Sequence, residues 1–144
     1  MAEIKYTIKG DPRTKKNHQM IAGAGKRCPE CKKHEKQWIR QGKFHDEYSE
    51  LAKWQLRPVP QRPIACPVNV KCLFYMKTRR VVDQLNLLAT VDDLLKDVGI
   101  IADDNCRIVV GHDGSRVLYD PDNPRTEITI TKIEAAENPQ MRLF

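Results

Sequence analysis

Two neighbouring stretches with different hydrophobic periods constrain this chain more than any other feature. In residues 68–76 the apolar set Val68, Val70, Cys72, Phe74 and Met76 alternates with more polar positions, the period of a strand with one buried face. Between Asp83 and Val98 the period changes: Leu87, Val91, Leu94 and Val98 recur at four, three and four residues, widened by Leu88 and Leu95, which predicts an amphipathic helix. Gly99 supplies its C-cap. A strand running into a helix predicts an α/β arrangement, and the remaining segments agree with it. Residues 3–9 alternate with Ile4, Tyr6 and Ile8 on one face, and strands are expected at 107–111 and 125–133, divided by turn residues in GHDGS and DPDNP. Phe44, Tyr48, Leu51 and Ala52 mark a second helix over 44–56, with Trp54 off its stripe, and Pro58, Pro60, Pro63 and Pro67 stiffen the connector beyond it. The expected fold is a single-domain mixed sheet with two main helices over 1–134. A glycine-rich, basic loop at 22–43 interrupts it, with too few apolar residues for a core, and a linker and peptide tail occupy 135–144.

With 144 residues the chain suits one domain. No apolar run approaches eighteen residues and no apolar leader opens the sequence, so a soluble, cytoplasmic protein with no membrane contact is expected. The formal net charge of +6 is unevenly spread: residues 1–80 carry 19 lysines and arginines against 7 acids, and residues 81–144 carry 6 against 12. A basic half suits neutralisation of phosphates and an acidic half suits metal-holding carboxylates, the two requirements of an enzyme that hydrolyses DNA. Ordinary charge fluctuation is the competing explanation. Five cysteines without a secretory signal argue for reduced thiols, with Cys66 and Cys72 as small core residues.

Opposite the apolar stripe of the 83–98 helix, Asp83, Asn86, Thr90, Asp93 and Asp97 share one polar face. Asp83 also stands where a helix N-cap belongs, so a capping aspartate on a solvated face is the plain reading. The segment Ile100-Ile101-Ala102-Asp103-Asp104-Asn105 then delivers two adjacent acids. A helix of about sixteen residues spans roughly 24 Å, so these acids meet Asp83 only if the chain folds back beside the helix. Carboxylates brought together in that way hold Mg²⁺ for phosphodiester hydrolysis.

The stretch DQLNLLATVDDLLKDVGIIADDNCRIV resembles the signature region of RusA-type Holliday-junction resolvases, in which an Asp-x-x-Asn-Leu helix leads through glycine to an Asp-Asp turn. The opening GDPRTKKNHQM is similar to phage-borne members. The resemblance implies a RusA-like, Mg²⁺-dependent homodimer that binds four-way DNA junctions and makes paired incisions with acids near each subunit's metal site. Asp83 and Asp104 match two of those acids, and Asn86, Asp93 and Asp103 are the further ligand candidates; Asp83, Asp93, Asp103 and Asp104 are the candidate catalytic set. The chain departs from the family pattern at Leu85, where a second acid is usual, and near Ala89, where a lysine is usual.

Lys15, Lys16 and Asn17 after the first strand, with Arg79 and Arg80 before the acidic helix, are candidate phosphate contacts for DNA. Cys28-Pro-Glu-Cys31 has the spacing of half a tetrahedral zinc site, with His34 and His45 as candidate completing ligands for a structural Zn²⁺; free thiols in a loop are the other reading. The terminal Gln140-Met141-Arg142-Leu143-Phe144 resembles the peptide by which bacterial DNA-processing proteins dock on the replication sliding clamp, anchored by aliphatic and aromatic residues, whereas packing on the chain's own core is the alternative. Two other functions compete with the junction nuclease. One is a non-catalytic branched-DNA-binding or clamp-associated adaptor on the same scaffold, and the other is a zinc-loop protein that binds nucleic acid without cutting it.

Overall fold

The computed structural model describes residues 3–14, 19–22, 38–41 and 43–133, with side chains for 3–14 and 47–133. In chain order the elements are β1 (Glu3–Lys9), β2 (Gln19–Ala22), β3 (Trp38–Gln41), α1 (Lys43–Gln55), β4 (Val68–Met76), α2 (Gln84–Asp97), β5 (Val109–Gly111), β6 (Arg116–Tyr119) and β7 (Arg125–Lys132). β1 pairs antiparallel with β7 and β7 antiparallel with β4, while β5 and then β6 run parallel to β4 along its other edge. β2 and β3 form a separate antiparallel pair. The domain is therefore a small mixed α/β fold with a mixed sheet and two helices, and no helix among the described residues is long and apolar enough to cross a membrane.

Parallel neighbours need a crossover rather than a tight turn, and α2 is the crossover from β4 to β5. One face of the sheet is buried: Tyr6 and Ile8 of β1, Thr126, Ile128 and Ile130 of β7, and all five alternating residues of β4. Against it pack Tyr48 and Ala52 of α1 and Leu87, Leu88, Val91, Leu94 and Leu95 of α2, so both helices cover the same side and one core results. Tyr48 meets Thr126 there at 3.4 Å, and burial pushes its phenol up to about 12.

α2 begins and ends by recognisable chemistry. The Asp83 carboxylate accepts a hydrogen bond from Leu85 N at 3.0 Å, the N-cap contact. At the other end Gly99, at φ +85°, lets its N–H reach Lys96 O (3.1 Å) and the Ile100 N–H reach Leu95 O (2.9 Å), a Schellman closure. The chain then returns along the helix. Where the β4 edge faces the turn between β5 and β6, side chains replace ladder bonds: Cys72 N donates to Ser115 Oγ (3.0 Å) and Asp113 N to Asn69 Oδ1 (2.8 Å).

Four expectations need correction. β3 lies inside the stretch expected to be a loop, because four-residue strands such as WIRQ carry too few alternations to stand out. β6 has no counterpart among the expected strands, since RVLY sits between two turn signals and only the parallel edge of β4 makes it a strand. Leu51, expected on the buried stripe, is 62% exposed, because the core side of α1 is carried by Tyr48, Ala52 and Leu56 at its end. Thr90, expected on the polar face, is buried and donates to Asn86 O at 3.0 Å, which lets its hydroxyl leave water without losing a partner.

Candidate functional site

The carboxyl end of β4 is where the chemistry-bearing residues collect. β1 lies parallel to β4 by way of β7, so the segment after β1 arrives at the same end as Lys77–Asp83 and the first turn of α2. Asp11 joins them: Oδ1 accepts from Lys77 N at 2.9 Å and Oδ2 from Arg80 Nη1 at 2.8 Å, with Arg13 Nη2 3.8 Å away. Arg80 also donates to Thr78 Oγ1 (3.2 Å) and Pro12 O (3.3 Å). Arg79 stacks on Tyr119, its guanidinium carbon 4.3 Å from the ring centre. Arg13, Lys77, Arg79 and Arg80 thus form a basic collar around the N-terminus of α2, where the helix dipole adds to the field that attracts anions.

A cleft of about 300 Å³ opens within this collar, lined by Pro12, Arg13, Thr14, Arg80, Val81, Val82 and Leu87. Thr14 is 3% exposed, and its hydroxyl has no hydrogen-bond partner among the described residues. Asp83 borders the cleft in sequence, one residue beyond Val82. The ends of open α/β sheets where strands release their carboxyl termini are common ligand positions, and this one couples cations to a carboxylate.

The acidic pair lies elsewhere. Lys96, in the last turn of α2, reaches Asp104 at 3.7 Å, which fixes Asp103 and Asp104 beside the C-terminal end of the helix. Asp103 begins a turn, accepting from Asp104 N (2.8 Å) and Asn105 Nδ2 (3.1 Å); the first of these bonds is the main reason its carboxyl is held below the usual range. Asp83 is roughly 20 Å away along the helix axis. The chain does fold back beside α2, but it starts with the acids at the far end. Side chains delivered on the way are His112, opposite Asp92 at mid-helix, and Ser115, whose carbonyl accepts from Gln84 Nε2 at 3.2 Å in the first turn. The chain therefore does not bring its own Asp83 and Asp104 together, and among the described residues no three His, Cys, Asp or Glu side chains gather as a metal group. Asp93 and Asn86 are both half-buried on the flank of α2, while Leu85 (74% exposed) and Ala89 form the exposed crest.

Two features have no clear signal in the sequence. The Asp92–His112 pair is one: His112 Nε2 meets the Asp92 carboxylate at 2.8 Å, and that hydrogen bond raises the imidazole above its ordinary value. Asp92 is only 8% exposed, yet nothing in its spacing distinguishes it from Asp93. Asp11 is the other, hidden in a turn-forming Asp-Pro and significant only through contacts 66 and 69 residues away. Of the thiols among the described residues, Cys72 is buried and pushed up by that burial, Cys66 is partly buried, Cys106 is exposed, and all three are free. Lys15, Lys16, Asn17, Cys28, Cys31, His34, Gln140, Met141, Leu143, Phe144 and the His45 side chain lie outside the described residues. No known family model matches the chain, and no curated protein matches its sequence at a significant level.

Proposed function

We propose that the chain is a Mg²⁺-dependent, structure-selective endodeoxyribonuclease of the RusA type, resolving four-way and other branched DNA junctions as a homodimer. The observation that carries this reading is the basic collar of Arg13, Lys77, Arg79 and Arg80 set around the Asp83-capped N-terminus of α2. Such a collar suits a phosphodiester held beside a carboxylate, and sequence-independent phosphate contacts suit recognition of a junction by shape. The RusA-like sequence pattern around Asp83 and Asp103-Asp104 supplies the reaction.

One subunit's described acids do not fit a shared divalent ion, because α2 separates them. Two subunits with their α2 helices packed antiparallel fit better, since Asp83 then approaches Asp104 of the partner subunit at each end. The crest of α2 suits that packing: Leu85 is apolar and exposed, and Ala89, one turn further on, is small enough for close helix approach. Residues 140–144 would tether the enzyme to a sliding clamp, and the CxxC loop would take a structural Zn²⁺. A second reading is favoured by Leu85 and Ala89 themselves, which replace an acid and a lysine of the family pattern: a non-catalytic junction-binding adaptor.

Incubation of a synthetic four-way junction and a matched linear duplex with Mg²⁺ tests the proposal. Junction-selective cutting that Asp83→Asn or Asp104→Asn abolishes is expected. Tight junction binding without cutting, in Mg²⁺ and in Mn²⁺, would overturn it in favour of the adaptor.

A further inference from the structure

We propose that the face of the sheet opposite α1 and α2 is a second contact surface, taking a duplex arm of DNA through its phosphate backbone. This rests on the reading that the chain binds DNA, but not on its cutting it. Strand register places Lys5 and Lys9 of β1, Lys71 of β4 and Arg116 of β6 on this face, all exposed. Arg125 is a fifth cation there, but it is stacked on Tyr75 at 3.8 Å and bonded to Asp120 at 2.8 Å, with Glu127 at 3.5 Å. Glu127 is thereby engaged, and the Glu3–Lys5 pair, at 3.8 Å and well exposed, is worth little. Five cations against the carboxylates of Glu3, Glu127 and Asp120 leave the face net positive by two, with Lys9, Lys71 and Arg116 standing apart from those acids' ion pairs, a balance that a polyanion complements.

The spacing also fits. β1 lies two strands from β4 and three from β6, so the two lines of cations stand roughly 10–14 Å apart. The major groove of B-DNA is about 12 Å wide, so both phosphate strands bordering one groove come within reach of these long side chains. A depression of about 260 Å³ lies between Lys5 and Lys71. Lys71 is built in: Gly114, at φ +86°, leaves the space its stem crosses, and a Cβ there would stand 3.2 Å from Lys71 Cδ. The face also borders the collar, since Lys9 leads into Asp11–Arg13 and Tyr75 into Lys77. A DNA arm leaving the α2 N-terminus continues along it.

The test is the salt dependence of binding to a linear duplex and to a four-way junction, without divalent metal, for wild type and Lys5→Gln/Lys71→Gln/Arg116→Gln. Each phosphate contact contributes about 0.9 to the slope of log K against log salt, so the triple variant is expected to lose about 2.7 with unchanged thermal unfolding. An unchanged slope in this variant, with a reduced one in Lys77→Gln/Arg79→Gln, overturns the inference and leaves the nuclease reading intact. Dissociation of a dimer by the triple variant in sedimentation overturns it too, by making the face a contact between copies. Junction binding that keeps the expected loss while Mg²⁺-dependent cutting is absent supports the inference and sinks the nuclease.

Discussion

Asp92 and His112 form an ion pair that half-leaves water, and its sign with pH can be worked out. The folded imidazole has its pKa raised, chiefly by the hydrogen bond to Asp92, above an unfolded value near 6.5. Its contribution is therefore fully present below about 6.5 and lost as pH rises through the folded value. Urea unfolding followed from pH 6 upward is expected to show stability falling across that window, and His112→Gln to remove the dependence. Asp92→Asn should do the same and lower stability by about 1–3 kcal/mol, the range for disturbing a buried charged hydrogen bond. A pH-independent stability in the wild type would mean the pair is not formed. Asp83 offers a separate test, because capping and phosphate chemistry ask different things of one carboxylate. Asp83→Ala is expected to lose about 1 kcal/mol from the missing Leu85 N–H contact, whereas Asp83→Asn still caps and should unfold like wild type. A stable but cleavage-dead Asp83→Asn then assigns the charge to function rather than to folding.

At the scale of elements, α2 holds most of what was legible and most of what was not. Its apolar stripe, its Asp83 cap and its Gly99 closure follow from local patterning, because an amphipathic helix and its termini are decided within a few residues. β4 and β7 were equally legible, since eight or nine alternating residues repeat the period several times. β6 and β3 were not, being short strands made by a partner rather than by propensity. The site divides the same way. Asp83 at a helix start is a local fact, but the distance from Asp83 to Asp104 depends on the direction in which residues 100–105 leave the helix. Here Ile101 pairs with Ile64 and holds the acidic turn at the C-terminal end. Arg80, a candidate phosphate contact by its place in the sequence, also ties the β1 and β4 loops together through Asp11, which only the long-range structure shows. Arg80→Ala is expected to lower stability by roughly 1.5 kcal/mol, a loss that an exposed phosphate contact would not produce in the absence of DNA; equilibrium unfolding reads it directly. On the crest of α2, Leu85→Asp/Ala89→Lys changes positions exposed in a single chain, so its own unfolding should shift by no more than about 0.5 kcal/mol, but it also places two charges in the proposed α2–α2 seam. Cleavage that rises in a variant still dimeric by sedimentation assigns the two departures to catalysis, whereas loss of the dimer together with cleavage assigns Leu85 and Ala89 to the seam.

If the proposed nuclease uses both Asp83 and Asp104, which stand at opposite ends of α2 about 20 Å apart, two-fold symmetry can bring them into one site where a single chain does not. In a two-fold dimer with α2 antiparallel to α2 of the partner, each site takes Asp83 from one subunit and Asp104 from the other. Asp83→Asn and Asp104→Asn homodimers then lack both sites. Their mixed dimer, however, keeps one intact site, since the wild-type Asp83 and the wild-type Asp104 meet at the same end. Random exchange makes half of the dimers mixed, each with one of two sites, so an equimolar mixture should regain about a quarter of wild-type cutting. The product should change as well: a single intact site nicks one strand where the wild type makes a pair of cuts. A mixture as inactive as its parents, after subunit exchange is verified by mass, would place both acids in one subunit's site or remove one of them from the reaction. In such a dimer the two-fold axis would also relate the two outer sheet faces proposed to hold DNA, so both should contribute equally to the salt dependence of junction binding.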